Sequence, residues 1–316
     1  MTQLTYTKLL NETLEKYVES GVEEAYQFIT QHADEIKGDH AQIYNFKYSL
    51  AAASGREEEA LAIMKEAIIE KGHWYSYEYL KEDEDLDSIR NYDDFQYMLD
   101  LCKKREEEAK EKAKPEMDVM MPSANDEGHP LLIALHGNQE NNRRTEENWY
   151  TAPSHGYTLA MPQSSQIEFS GGYSWDDVEK GSQELEAHYE ELKQHGSINE
   201  DQLILGGFSA GARVALHTIL KGDLPVKGFV LVGPWLPDID ELADNLEYLA
   251  DQEIEGYVIC GDQDQDCLED TNRFVELLKE KNVKHTYKLI EGLDHDYPED
   301  FPYLLETALK NIINNK

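Results

Sequence analysis

The sequence predicts two folds in series: an all-α region over residues 1–115, then, over 116–316, a mostly parallel α/β sheet wound with helices on both faces. Three observations carry this. Up to about residue 112, apolar residues recur at three-and-four spacing, the period of a helix surface. A mixed-charge run from Lys103 to Glu116 favours a solvated helix, and Pro115 stops it. Beyond it, short apolar runs rich in β-branched and large aliphatic residues alternate with helix-length segments. That is the pattern of parallel strands covered on both sides.

In chain order, the first region reads as helices at about 6–18, 22–36, 40–54, 57–71 and 94–112. Gly21, Gly38, Gly55 and Gly72 punctuate them at intervals of 17 residues. Two such units make 34, the length of a tetratricopeptide repeat. Tyr44, Tyr48 and Ala51, then Gly55, then Ala60, Met64 and Ala67 resemble one such unit, in which small residues let paired helices approach closely. Tyr48 and Gly72 depart from the pattern, since the repeat family prefers a small residue and a proline there. The segment from Leu80 to Arg90, followed by Phe95, is similar to the end-cap that follows such repeats. An ordinary helical bundle is the alternative reading. The second region reads as strands at 117–121, 131–135, 157–161, 202–206, 228–232, 255–260 and 285–290, with helices at 178–194, 211–221 and 268–281 between them. Loops at the C-terminal ends of such strands build the active site of an open α/β sheet.

Those loops carry the chemistry. Gly207-Phe208-Ser209-Ala210-Gly211 follows an apolar strand and opens an Ala-rich helical pattern. A nucleophilic serine on a tight strand-to-helix turn needs small residues two before and two after it, because bulkier ones would clash. Such a serine needs a base, and the base an orienting acid. The strand ending at Cys260 runs into three alternating carboxylates, Asp262, Asp264 and Asp266, among which the residue pattern alone does not choose. A calcium loop is the competing reading, but the glycine and closing glutamate of an EF-hand are missing. After the strand at 285–290 comes Gly292-Leu-Asp-His295, with a helix expected near Asp300. His295 stands third in the order Ser, Asp, His and is the expected general base. Early in the sheet, the strand 131–135 leads into His136-Gly137-Asn138. An oxyanion hole needs two backbone N–H groups, and Ala210 and Asn138 are the expected donors. His136 itself is expected to be a buried turn residue.

Together the His136-Gly137 turn, Gly207 to Gly211, Asp264 and His295 make residues 116–316 resemble the α/β-hydrolase family, within it the small carboxylesterase, phospholipase and dienelactone-hydrolase-like group. The resemblance places the triad acid at Asp264, in a Gly-x-x-Asp arrangement just past its strand. It also implies that Trp175, in Tyr173-Ser-Trp175-Asp176, lines the substrate site. Two features depart from the family. The polar loop Asn138-Gln-Glu-Asn-Asn-Arg-Arg stands where relatives carry further glycines, and the insertion that would form a large lid is lacking.

The resulting expectation is a serine esterase that cleaves carboxylic esters or thioesters through an acyl-enzyme. Two alternatives are a weakly active or inactive hydrolase domain carrying a helical protein-binding scaffold, and a peptidase of the same fold. The chain has 29 Lys plus Arg against 65 Asp plus Glu, a formal charge of −36, which repels nucleic acid and anionic lipid. No apolar run reaches the roughly 20 residues of a membrane span. The N-terminal residues show neither the basic cluster nor the apolar core of a secretory signal, so a cytoplasmic location is expected. Cys102, Cys260 and Cys267 are too scattered for a disulfide framework or a zinc site, and neither a metal nor an organic cofactor is expected. The expected partner of the second region is a small ester substrate; for the helical region the residues leave three roles open: packing on the hydrolase domain, recruiting a protein partner, or capping the active site.

Overall fold

The computed structural model describes residues 4–38, 40–123, 128–194 and 198–314. The chain divides into two compact units. One comprises residues 1–113 with 167–172, the other 114–166 with 173–316.

The first unit is helical. It contains α1 (Tyr6–Ser20), α2 (Val22–His32), α3 (Ala41–Ala53), α4 (Glu57–Lys65), α5 (Tyr77–Glu82) and α6 (Asp93–Lys112). The expected helix at 22–36 gives way after His32 to a tighter turn over Ala33–Glu35, and the one at 57–71 widens into a π turn over Glu66–Glu70. Gly21, Gly38, Gly55 and Gly72 all have positive φ, between 76° and 112°, and each lies at the end of a helical stretch. Consecutive helices from α1 to α4 pack on one another. Their core contains Leu9, Tyr26, Ile29, Tyr48, Met64, Leu86 and Phe95. Residues 167–172, which lie beyond Pro115 in the chain, belong to this unit. Phe169 is in its core, and the Trp74 N–H donates to Ser170 Oγ at 2.7 Å.

The second unit is built on β1 (Glu116–Met120), β2 (His129–Leu135), β3 (Thr158–Gln163), β6 (Ile198–Phe208), β7 (Val226–Val232), β8 (Glu255–Gly261) and β9 (His285–Ile290); β4 (Gln166–Phe169) and β5 (Gly172–Ser174) form a separate two-stranded pair. The seven strands run in the order β1-β3-β2-β6-β7-β8-β9, all parallel except β1, which pairs antiparallel with β3. Its helices are α7 (Asn142–Trp149), α8 (Val178–Gln194), α9 (Ala210–Lys221), α10 (Ile239–Leu242), α11 (Glu247–Asp251), α12 (Leu268–Glu280) and α13 (Phe301–Asn314).

Successive side chains of a strand point to opposite faces, and the cores divide accordingly. Leu131, Ile133, Leu135, Leu205, Leu231 and Val258 join one cluster with residues of α8, α9 and α12. Leu132, Ala134, Ile204, Val230 and Ile259 join another with Trp149 of α7 and Leu305 and Leu309 of α13. Central strands are therefore apolar on both faces and almost wholly buried, whereas the edge strands β1 and β9 are mostly exposed or half-buried. This is the doubly wound α/β fold that the strand pattern predicts. Among the described residues, no helix is long and apolar enough to cross a membrane.

Candidate active site

Ser209 stands between β6 and α9 with φ 52° and ψ −121°, a conformation that costs a residue bearing a side chain on the order of 1–3 kcal/mol. The surroundings hold it there. Its N–H donates to the Val232 carbonyl at 3.0 Å, and its carbonyl accepts from Ala212 at 3.0 Å and from Trp235 at 3.3 Å. The two glycines of the turn are sterically required. A Cβ on Gly207 would lie 2.6 Å from the Gly211 carbonyl carbon, and one on Gly211 would lie 2.3 Å from the His136 carbonyl oxygen. Close packing of β6, α9 and the loop after β2 thus fixes the residue types of the motif.

His295 lies in the loop after β9. Its Nδ1 donates to Asp264 Oδ2 at 2.8 Å, and Asp264, 1% exposed, lies in the loop after β8. The second carboxylate oxygen of Asp264 accepts the Cys267 N–H at 3.0 Å, which fixes the orientation of the acid. Asp262, by contrast, accepts from the Gly292 N–H at 2.7 Å and braces the loop that carries His295. Burial alone would push the His295 imidazole down. The hydrogen bond and charge of Asp264, with the charges of Asp266 and Glu140, outweigh it, so its pKa rises above the ordinary value. The ring also packs on Phe208, which stacks on Tyr297, whose hydroxyl accepts from Trp149 Nε1 at 3.0 Å.

Ser209, Ala210, Asn138 and His295 line one pocket of about 260 Å³, together with Trp235, Asp266 and Cys267. Among the described residues, neither the Ala210 nor the Asn138 backbone N–H meets an acceptor. Asn138 is itself fastened: its Oδ1 accepts the Trp175 N–H at 2.8 Å and its Nδ2 donates to Asp176 at 3.1 Å. His136 is fully buried and, because burial pushes its pKa down to about 4, neutral. Its Nδ1 bonds the Gly137 carbonyl, and its Nε2 accepts from Gln163 and from the Ser164 N–H.

The structure places Trp175 behind this turn rather than at the pocket. It is 1% exposed, its indole N–H donates to the His136 carbonyl at 2.9 Å, and its ring packs on the His136 ring. The tryptophan that lines the pocket is Trp235, three residues past the end of β7. Strand-following loops at the C-terminal sheet edge were the signal that could have found it. Glu140 also went unassigned, hidden in the polar loop. It is 9% exposed, its carboxylate accepts the Gly137 N–H at 2.9 Å, and burial pushes its pKa up to about 7.

A family model described as phospholipase/carboxylesterase matches residues 119–312, and one described as A/B hydrolase-like, N-terminal domain, matches residues 5–110. Among solved structures, the chain is similar to an uncharacterized protein from Bacillus cereus ATCC 10987, determined at 2.75 Å resolution. Identity is 51% over 99% of this chain and 100% of that one, with a TM-score of 0.58. It is also similar to esterase PE8, at 18% identity, covering 63% of this chain and 100% of that one, TM-score 0.54. Est1E from Butyrivibrio proteoclasticus is 16% identical, covering 64% of this chain and 94% of that one, TM-score 0.50. These last two likenesses are of fold. No curated protein matches the sequence.

Proposed function

The chain belongs to the phospholipase/carboxylesterase family of α/β-hydrolases, and from that premise we propose that it cleaves small carboxylic esters or thioesters through an acyl-enzyme on Ser209. The observation that carries this reading is the shared pocket. A serine on a strained turn and a histidine bonded to a buried aspartate face the same 260 Å³ space.

His295 takes the Ser209 proton as the hydroxyl attacks the ester carbonyl, and later returns it to the leaving group. With Nδ1 committed to Asp264, the proton must travel on Nε2, and the Asp264 charge stabilises the imidazolium that forms. The N–H groups of Ala210 and Asn138 receive the oxyanion, each worth about 10²–10³ in rate. Because Gly137 gives its own N–H to Glu140, that turn has the Asn138 amide left to offer. The pocket holds an acyl chain of a few carbons against Trp235, which favours small esters over long-chain lipids.

The helical unit reads as a tetratricopeptide-like scaffold for a protein partner, supported by its positive-φ glycines at 17-residue spacing between packed helices. The three cysteines, all unpaired and buried, accord with a cytoplasmic location.

The test is hydrolysis of p-nitrophenyl esters of increasing acyl length by wild type and Ser209→Ala. Turnover of the short esters that the substitution lowers by about 10³ or more supports the reading. Equal turnover by the two proteins would remove Ser209 as nucleophile. An enzyme most active on the longest chains would overturn the small-pocket argument.

A further inference from the structure

Asp264, Cys267 and His295 each present one ligand atom, and the three atoms lie within 4.8 Å of one another. The esterase reading uses two of these residues. It gives the third, whose thiol lines the same pocket, no chemical task. Cys267 is 1% exposed, at the foot of α12, and its Sγ stands 3.6 Å from His295 Nδ1. A tetrahedral zinc with Zn–S of about 2.3 Å and Zn–N of about 2.05 Å separates sulfur from nitrogen by about 3.6 Å. The same geometry asks for about 3.3 Å between nitrogen and a carboxylate oxygen. The 2.8 Å hydrogen bond between Nδ1 and Oδ2 would open by about half an ångström, and the sulfur-to-carboxylate edge, within 4.8 Å here, would close toward the roughly 3.5 Å of the same tetrahedron.

We propose that Asp264, Cys267 and His295 form a binding site for one thiophilic divalent cation of the zinc class, which switches the hydrolase off when occupied. The donor set of thiolate, imidazole and carboxylate selects zinc or cadmium over magnesium or calcium, which take oxygen ligands. Three protein ligands leave a fourth position toward the pocket, where water or a substrate atom completes the tetrahedron. The cation replaces the thiol proton of Cys267, which leaves to solvent. It also takes the Nδ1 lone pair, and the imidazole proton moves to Nε2. No electrons are transferred. A ring protonated on Nε2 cannot accept the Ser209 proton, so occupancy and turnover exclude each other. The inhibitory half of this proposal rests on the esterase reading, and the binding half does not.

The test uses the full chain as wild type, Cys267→Ala, Cys267→Ser and Cys260→Ala. Cys260 is the internal control: its Sγ lies 3.9 Å from Asp264 Oδ2, but it is not part of the three-atom cluster. Zinc is titrated against a fluorescent chelator, cadmium is followed by its thiolate charge-transfer absorption, and hydrolysis of a short ester is measured at each zinc level. Wild type and Cys260→Ala should bind one ion tightly, show the absorption with cadmium, and lose turnover in step with binding. Both Cys267 variants should lose the absorption and bind zinc at least ~100-fold more weakly, and the turnover each retains, measured against its own zinc-free rate, should not fall at zinc levels that silence wild type. Tight binding or the absorption surviving in both Cys267 variants would overturn the proposal, as would wild-type zinc uptake that is weak, multiple and without a thiolate band. If wild type turns over no ester at all, the esterase reading falls, and the chelator and cadmium measurements still decide whether the site exists.

Discussion

Replacing Glu140 by glutamine removes a carboxyl group that the fold holds almost out of water while keeping an oxygen for the Gly137 N–H. Burial pushes the pKa of Glu140 from 4.5 to about 7. The Gly137 hydrogen bond and Arg144 pull the other way, while the charge of Asp296 adds to the rise. Below about pH 4.5 the carboxyl is protonated in both folded and unfolded chains, and the group costs nothing. Above about pH 7 the unfolded chain ionises freely whereas the folded one must bury the charge. For an acid raised in the folded state, then, stability is lost as pH rises through this window. A rise of about 2.5 in pKa corresponds to about 3 kcal/mol, or several degrees in the melting temperature of a unit this size. Calorimetric melting of wild type and Glu140→Gln at about pH 5 and about pH 8 checks this. The variant should gain on wild type by roughly 2–3 kcal/mol between the two conditions. A difference that stays constant with pH would show that Glu140 ionises as freely folded as unfolded, and would refute the argument.

Three further outcomes follow from the site. The rate constant kcat/KM should rise with pH through the titration of His295, with its midpoint above the ordinary value of 6.5, because the base must be neutral to accept the Ser209 proton. In Asp264→Asn, a pH–rate titration should place that midpoint lower and kcat down by about 10³–10⁴; an unmoved midpoint would count against the pairing. Gly211→Ala places a methyl 2.3 Å from the His136 carbonyl, a backbone group that cannot swing aside, so denaturant melts should show a loss of about 3 kcal/mol or more. Ester turnover should fall with it, since the same carbonyl anchors the turn that carries Asn138.

Much of this was legible in the residues because parallel strands buried on two faces must be apolar throughout. The runs at 131–135, 228–232 and 255–260 leave no solvated face to confuse the pattern. The turn from Gly207 to Gly211 was legible for a steric reason, since backbone crowding around its two glycines admits few other residues. Helix α7 was not, because in Asn142–Trp149 only Thr145 and Trp149 face inward, too few to show a helical period. Nor was the joining of residues 167–172 to the helical unit, a matter of tertiary contact that local pattern does not encode. Among the three aspartates after β8, spacing could not choose. What separates them is burial and bonding: Asp264 is inside and bonded to His295, Asp262 ties a loop, and Asp266 stays exposed at the pocket rim. The burial of Trp175 against the His136 turn was not legible either, because a tryptophan after a loop reads the same whether it faces substrate or buttresses a turn from behind.

The most direct test of the central claim is active-site titration with a fluorophosphonate, followed by mass mapping of the modified peptide. The account predicts one phosphonyl group per chain, carried on Ser209, with labelling abolished in Ser209→Ala and slowed in proportion to the loss of base in His295→Ala. An adduct on another residue, or a wild-type chain that stays unlabelled while folded, would contradict it.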